Sequence, residues 1–205
     1  MPFTYPLMLD VSGRLAVIVG GGGVAVRKAR GLLDAGVGGV RVVSPAFHPE
    51  MPDGVERVTA AYEPKHLDGA GLAFAATNVS AVNDQVVRDC AARGILVNRA
   101  DVDDAAPGDF ATPAQLKRGP VVVTVSAGSP ALAATVRDGL AGRWDERWTR
   151  MAEAMRELRP MIVQDPSLPP ARRAELFRWL ATEEALDVLA GGGIEELRRR
   201  LAVRG

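Results

Sequence analysis

The sequence predicts an α/β protein whose first half is a doubly wound parallel sheet, and three observations support this prediction. First, apolar β-branched runs alternate with segments of helical spacing over residues 14–100. Second, a glycine-rich turn joins the first run to the first helical segment at residues 20–23. Third, the pattern changes near residue 110, after which one more β run is followed by helical segments. We therefore predict a small mixed region and a helical part after the sheet.

The first strand is predicted at residues 15–19, because an uninterrupted apolar run is typical of a strand buried on both faces. A helix follows, in which apolar residues recur at helical spacing until Gly36 ends it. The same reasoning predicts strands at residues 40–43, 55–61, 71–76 and 95–98, a helical turn at 64–68 and a helix at 79–93. Residues 5–10 are expected to add a small strand or extended segment beside the core.

Beyond the sheet, a turn is predicted at residues 117–120 and a strand directly after it. Ser129 is the predicted N-cap of the next helix, with Pro130 at its first position. From Trp144 onward the pattern is helical, with predicted breaks near Pro160 and at residues 166–170 and 191–193. The predicted domains are residues 1–110 for the sheet, 111–143 for the mixed region and 144–205 for the helical part.

Composition excludes several classes of function. The 25 basic and 25 acidic residues balance, so no net field favours nucleic acid or an anionic membrane, and aromatic residues make up only 5%. A single cysteine, Cys90, fits a reducing, cytoplasmic setting. We expect no secretory signal at the start of the chain, and no apolar run reaches the length of about 18 residues that a membrane helix needs.

The glycine turn matches the dinucleotide-binding pattern G-x-G-x-x-G/A at Gly20, Gly22 and Ala25. Such a turn in a Rossmann-like sheet places a pyrophosphate against the helix N-terminus, although the same pattern also occurs in βα turns without a ligand. The strand predicted at 40–43 is followed by Ser44, Pro45 and Ala46, with no acidic residue for the ribose. The choice between NAD and NADP therefore stays open by that rule. Thr77 and Asn78 follow a central strand, where ligands bind.

The stretch Gly20-Gly-Gly-Gly-Val-Ala-Val-Arg-Lys28 resembles the opening signature of the precorrin-2 dehydrogenase (siroheme synthase) family. Three later stretches, residues 74–78, 98–101 and 124–133, agree with that family in the same order. The resemblance implies NAD-dependent oxidation of the tetrapyrrole precorrin-2 to sirohydrochlorin, on the way to siroheme or cobalamin. It also implies a homodimer that exchanges strands through its central region. Some relatives also insert ferrous iron as a ferrochelatase, in which case iron is a substrate.

The resemblance further implies site residues. Asp101 matches the family's catalytic aspartate, although from the residues alone the simpler interpretation is an aspartate that caps the loop that follows. Ser126 and Ser129 are expected to contact the substrate, but the family segment is one residue longer and carries an extra serine where this chain has Ala127. The expected cofactor contacts are Gly20, Gly22, Gly23, Val24, Pro45, Ala46, Thr77 and Asn78.

Several other polar residues have less specific interpretations. Arg27 and Lys28 are expected to be solvated rather than bound to phosphate. Four basic residues could pair with substrate carboxylates, although surface charge is the simpler interpretation: Arg99, Lys117, Arg118 and Arg137. His48 and His66 lie in predicted loops without a second ligand at metal spacing, so no metal site is expected. The stripe of Trp144, Trp148, Met151 and Met155 is interpreted as core or dimer contact.

Other functions remain to be weighed. A short-chain dehydrogenase needs Tyr-x-x-x-Lys, which Tyr62-Glu-Pro-Lys65 does not match, and a hydroxy-acid dehydrogenase needs a histidine late in the chain, which is missing. A regulatory domain that senses NAD without chemistry is the main alternative.

Overall fold

The computed structural model of the chain describes residues 5–100 and 108–204. The chain divides into two compact units, Met1–Thr112 and Pro113–Gly205. The boundary lies close to the change of pattern in the sequence. The further division of the second unit at residue 143 stays a prediction. Asp101 lies outside the described residues.

The first unit is built on a five-stranded parallel sheet, which confirms the predicted fold class. Its strand order is β3-β2-β1-β4-β5. The chain adds β2 and β3 on one side of β1 and then crosses over to add β4 and β5 on the other side. The strands are β1 (Leu15–Val19), β2 (Gly39–Val43), β3 (Glu56–Val58), β4 (Ala70–Ala75) and β5 (Leu96–Arg99).

Helices cover both faces of this sheet, which explains the uninterrupted apolar run in β1. Ala16 and Ile18 point to the face that α1 (Gly23–Asp34) covers, whereas Val17 and Val19 point to the face that α2 (Ser80–Arg93) covers. All four side chains are at most 1% exposed. Because side chains alternate along a strand, two buried faces require apolar residues at every position.

The prediction for β3 is wrong, since this strand is three residues long rather than seven. Residues 5–10 form no strand, which leaves the extended segment of the two predicted alternatives. Glu56 and Arg57 are exposed because β3 lies at the sheet edge and pairs on one side with β2. A strand with one neighbour gains fewer ladder hydrogen bonds and less burial, so it ends sooner.

The second unit begins with an antiparallel hairpin of β6 (Ala114–Arg118) and β7 (Val121–Val125). Gly119, with φ of +53°, lies in the predicted turn. The strand β6 was not predicted, because Gln115 and Lys117 face solvent and only Leu116 is buried. A short, mostly polar strand carries too weak an alternation to be recognised.

Four helices follow: α3 (Pro130–Ala141), α4 (Glu146–Gln164), α5 (Pro170–Leu180) and α6 (Glu183–Arg204). The predicted break at Pro160 is wrong, since α4 continues through it while Leu158 and Ile162 on either side are buried in one cluster. Packing of that face outweighs the hydrogen bond that proline removes. The break predicted at 191–193 is confirmed by the non-helical Gly193 within α6. No helix of the described chain is long and apolar enough to cross a bilayer.

The cluster around α4 supplies a stability test. Leu158 is fully buried, whereas Met161 on the same helix is 53% exposed. We expect Leu158→Ala to lower the free energy of unfolding by about 2–5 kcal/mol, because it leaves a cavity among packed side chains. Urea denaturation measures this, and Met161→Ala is the matched control. Equal losses for the two variants would contradict the described packing of α4.

Candidate dinucleotide site

A cavity of about 720 Å³ opens at the carboxyl ends of the strands in the first unit. It lies beside the ends of β1, β2 and β4, where the order of the sheet reverses direction. Parallel sheets bind ligands at this kind of position, and the volume is in the range of about 300–1,000 Å³ that small-molecule sites occupy. All eight predicted cofactor contacts line it: Gly20, Gly22, Gly23, Val24, Pro45, Ala46, Thr77 and Asn78.

Gly20 makes the sharp turn at the end of β1. Its φ is +125°, and a Cβ built there would lie 2.3 Å from the carbonyl oxygen of Ala76. The Gly20 N–H also donates to the Val43 carbonyl at 2.9 Å, which ties the turn to the end of β2. Glycine is therefore required at this position for two reasons, conformation and space.

Gly21 is equally constrained, although the sequence pattern treats it as a variable position. A Cβ there would lie 2.0 Å from the Ala46 carbonyl oxygen and 2.7 Å from the Ser44 hydroxyl. Its own carbonyl accepts a hydrogen bond from the His48 N–H at 2.8 Å. The loop after β2 thus packs directly on the glycine turn. The run of four glycines was the available signal for this contact.

Gly22 and Gly23 differ from the first two glycines because a Cβ on either would meet no atom within 4 Å. Gly22 is the N-cap of α1, without a side-chain cap, and the first turn of that helix carries no acidic side chain. The first N–H groups of a helix have no partner within it and attract anions. Gly22 and Gly23 therefore leave room for a pyrophosphate against the start of α1.

The described residues that line the cavity carry almost no charge. They include no Asp, Glu, Lys or Arg, and their titratable side chains are His48 and Tyr62. Ser44 is buried, whereas Pro45 and Ala46 are exposed at the opening. A 2′-phosphate on the adenosine ribose would need a cation in this region, and none of the described lining residues is an arginine or lysine.

Thr77 and the fully buried Asn83 of α2 form a compact hydrogen-bonded pair at the end of β4. The Asn83 side-chain oxygen accepts from the Thr77 hydroxyl at 2.8 Å and from the Thr77 N–H at 3.2 Å. The Asn83 amide donates to the Thr77 carbonyl at 2.9 Å. This pair fixes the strand end that lines the cavity. Asn83 was missed in the sequence because it begins the polar run Asn83-Asp84-Gln85, and nothing in that run marks it as the buried residue.

The end of β5 brings the chain to the cavity. Ala100 lines it, and the Ala100 N–H donates to the Ala75 carbonyl at 2.9 Å. Asp101 is the next residue, so the described chain reaches the cavity one residue before the predicted catalytic aspartate. The Asn98 amide in β5 donates to the Phe110 carbonyl at 2.8 Å, which holds Phe110 next to β5.

Arg99 is not a surface charge. Its side chain is 1% exposed, pairs with Asp84 and donates to the Ser80 hydroxyl at 2.8 Å. Both partners belong to α2, so Arg99 ties β5 to that helix. This structural role replaces the two interpretations that the sequence offered, because a guanidinium held in this way is buried and already paired.

Lys28 also departs from the solvated interpretation, whereas Arg27 is exposed as expected. The Lys28 ammonium lies 5.6 Å from the centre of the Phe74 ring and donates to the Thr112 hydroxyl. Burial, with a smaller contribution from Arg27, lowers the pKa of Lys28 to about 8. Lys28 therefore packs its stem into the unit and holds the last residue of that unit.

The remaining predicted residues lie in the second unit or in loops. Ser129 caps α3, its hydroxyl accepting from the Leu132 N–H at 3.2 Å, and Ser126 is exposed. Arg118 pairs with Glu146, and Arg137 with Asp138. Lys117 and His48 are exposed; His66 is buried in a 3-10 turn. In the described ranges, no group of three or more His, Cys, Asp or Glu could hold a metal ion.

Three of the four residues in the stripe of tryptophan and methionine belong to the core of the second unit, and Trp144 lies outside that cluster. Met151 is buried, and Trp148 and Met155 pack against the same cluster as Leu158. The stripe also borders a smaller cavity of about 290 Å³.

Comparison with known proteins agrees with this geometry. Residues 7–114 match the model of a family described as putative NAD(P)-binding. A siroheme synthase of Chromobacterium violaceum is 38% identical over 177 residues, and one of Pseudomonas aeruginosa strain PAO1 is 42% identical over 203 residues. The chain belongs to the NAD(P)-binding family of siroheme synthases and precorrin-2 dehydrogenases.

The extent of the matches differs between the relatives. The two siroheme synthases are matched over 82% and 94% of this chain but over 37% and 42% of their own length, so the chain spans about two fifths of these relatives. The solved structure of SirC, a precorrin-2 dehydrogenase, matches 98% of this chain and all of its own chain, with a TM-score of 0.78 and 26% identity. The likeness within the family therefore extends through both units.

The glycine turn of this family member can be tested by two substitutions with opposite expectations. Gly21→Ala should lower the free energy of unfolding by about 1–3 kcal/mol, because the new Cβ forces the loop after β2 to move. Gly22→Ala should leave stability nearly unchanged and weaken NAD binding about tenfold or more, because its Cβ projects into open space where the pyrophosphate is expected. Thermal unfolding and calorimetric titration measure the two effects.

Gly31→Ala is the control, since Gly31 lies within α1 and a Cβ there meets nothing within 4 Å. It should stabilise the chain by about 0.5–1 kcal/mol through helix propensity and leave NAD binding unchanged. Tight NAD binding by Gly22→Ala would argue against a pyrophosphate at this turn.

The burial of Lys28 gives a pH-dependent prediction. Because the folded pKa, about 8, lies below the value of about 10.4 for an unfolded chain, the unfolded chain retains the proton over that interval. The contribution of Lys28 to the free energy of unfolding should therefore rise with pH between these two values. NMR titration of the three lysines measures the pKa of Lys28, and Lys28→Met assigns its signal. Denaturation at several pH values measures the rise in the free energy of unfolding, which Lys28→Met should remove. A Lys28 signal that titrates only above about pH 10, where exposed lysines do, would contradict the described burial.

Proposed function

We propose that this chain oxidises precorrin-2 to sirohydrochlorin with NAD. The observation that carries the proposal is the uncharged cavity at the glycine turn, whose lining ends at Ala100, one residue before Asp101. The likeness to a precorrin-2 dehydrogenase over the length of both chains supports the substrate. A bound dinucleotide and a carboxylate that accepts a proton are the two parts that a dehydrogenase requires.

The residues of the cavity fit a dinucleotide. Gly22 and Gly23 leave open space at the N-terminus of α1, so their N–H groups can hold the pyrophosphate. Gly20, Gly21 and the Thr77–Asn83 pair hold the surrounding strand ends in place. The lack of a lysine or arginine among the described lining residues favours NAD over NADP, because nothing there would neutralise a 2′-phosphate.

Catalysis then needs one proton acceptor from the protein. NAD, held by the N–H groups at Gly22 and Gly23, would supply the hydride acceptor for this oxidation. Asp101 accepts the proton that the macrocycle releases, as a general base. The hydride and the proton together amount to two hydrogen atoms lost from precorrin-2, and one NADH is formed. Ser126 and Ser129 stay predicted contacts to substrate carboxylates.

We also propose that the chain acts as a homodimer. Leu132, Val136 and Leu140 follow one another at four-residue spacing on α3, and they are 53%, 42% and 43% exposed. An apolar stripe of this kind favours coverage by another surface.

Insertion of ferrous iron remains an implication of the family resemblance.

Anaerobic turnover tests the proposed function. The purified chain is mixed with precorrin-2 and NAD, and NADH and sirohydrochlorin are followed by absorbance. We expect the two products to form in equal amounts and to require NAD. Binding of NAD without NADH formation would contradict the proposal and favour the regulatory, sensing domain.

The proposed role of Asp101 is tested separately. Asp101→Asn should lower kcat by about 10²–10⁴-fold, which is the usual contribution of a general base, while the Kd for NAD stays unchanged. Asp103→Asn removes a nearby charge in the sequence and is the control. Unchanged turnover in Asp101→Asn would assign the proton transfer to another group.

A further inference from the structure

We infer that Tyr62 forms the wall of the cavity against which the adenine ring of the dinucleotide stacks. The inference rests on the proposed function and deepens it, because it assigns the adenine end of the site to a residue that no motif singles out. It follows from the place of Tyr62 in the cavity, from the way its hydroxyl is held and from the chemistry of its neighbours.

Tyr62 lies in the segment between β3 and β4. It lines the cavity together with Ala61, its neighbour in the chain, and with three apolar residues from two other segments: Pro45, Val79 and Val82. Val79 is 50% exposed, so its side chain is accessible to a ligand in the cavity. These side chains form the part of the cavity next to the loop after β2, where the adenosine of a dinucleotide is bound in this fold.

The tyrosine ring is held in place before any ligand binds. Its hydroxyl donates to a carboxylate oxygen of Asp89 on α2 at 2.9 Å, and the other oxygen of Asp89 accepts from the Gln85 amide at 2.8 Å. The His66 ring packs near Tyr62 with centroids 6.3 Å apart. Burial, and then the hydrogen bond to Asp89, raise the pKa of Tyr62, so the hydroxyl stays protonated as a donor. A ligand therefore meets a ring that is already ordered.

Adenine suits this wall better than the other parts of the dinucleotide do. It is flat and uncharged and stacks on an aromatic face, whereas the pyrophosphate requires N–H groups or cations. The glycine turn supplies those N–H groups elsewhere in the same cavity. The uncharged lining around Tyr62 offers nothing to a phosphate but suits an uncharged ring.

Binding of dinucleotide fragments to the full chain tests the inference. NAD binding is measured by calorimetry, and AMP and nicotinamide mononucleotide are titrated separately by NMR. Tyr62→Ala should raise the Kd for both NAD and AMP about 5- to 10-fold, and the Kd for nicotinamide mononucleotide should stay within about twofold, because stacking on one ring is lost. Tyr62→Phe should bind all three almost normally, since it keeps the ring.

Two further variants separate stacking from loss of structure. Tyr62→Leu retains apolar bulk without an aromatic face, so it should weaken AMP as Tyr62→Ala does even if the alanine variant is unstable. Tyr5→Ala removes the other of the two tyrosines, which is 84% exposed and outside the cavity, and should change nothing. Thermal unfolding checks that each variant is folded.

Unchanged AMP affinity in a folded Tyr62→Leu would overturn the inference and leave the proposed function intact. An equal loss of AMP and nicotinamide mononucleotide would also overturn it, because it would show that Tyr62 merely supports the shape of the cavity. Failure of the unmodified chain to bind NAD would instead overturn the proposed function, and the inference with it.

Discussion

The candidate site depends on the close approach of the glycine turn to the neighbouring loops. The Gly20 backbone lies against the Ala76 carbonyl and the Gly21 backbone against the Ala46 carbonyl, with no space for a Cβ at either position. These contacts hold the ends of β1, β2 and β4 together. As a result, the start of α1 at Gly22 opens toward the cavity with its N–H groups free of side-chain caps. One packing constraint thus forms the floor of the cavity and orients its anion-binding end.

Much of the fold could be predicted because burial on both faces leaves a strong signal. The strand Leu15–Val19 is apolar at every position for this reason. Helices α1 and α2 are each followed by a glycine with positive φ, Gly36 and Gly94, and such glycines mark helix ends in the sequence. The predictions failed where packing and local preference disagree. Helix α4 continues through Pro160 because Leu158 and Ile162, two residues to either side, are buried in one cluster. Strand β6 is polar because it buries a single leucine, Leu116.

The site could be predicted where a motif reports backbone geometry, and less well where it depends on contacts between distant segments. The glycine turn is local, so its pattern places Gly20 and Gly22 correctly at the cavity. Asn83, Arg99 and Tyr62 act through partners on other elements, and a single sequence contains no trace of those pairings. Their roles follow from burial and hydrogen bonding, which become visible only when β4, β5 and α2 are placed side by side.

A crystal structure of the chain with bound NAD tests the central claim most directly, because the claim concerns where the dinucleotide lies. The account predicts the pyrophosphate against the N–H groups at the start of α1, beside Gly22 and Gly23, with the backbone of Gly20 and Gly21 unmoved. The nicotinamide should lie on the side of the cavity that Ala100 borders. A dinucleotide bound away from the glycine turn, or a turn that must rearrange to admit it, would contradict the account.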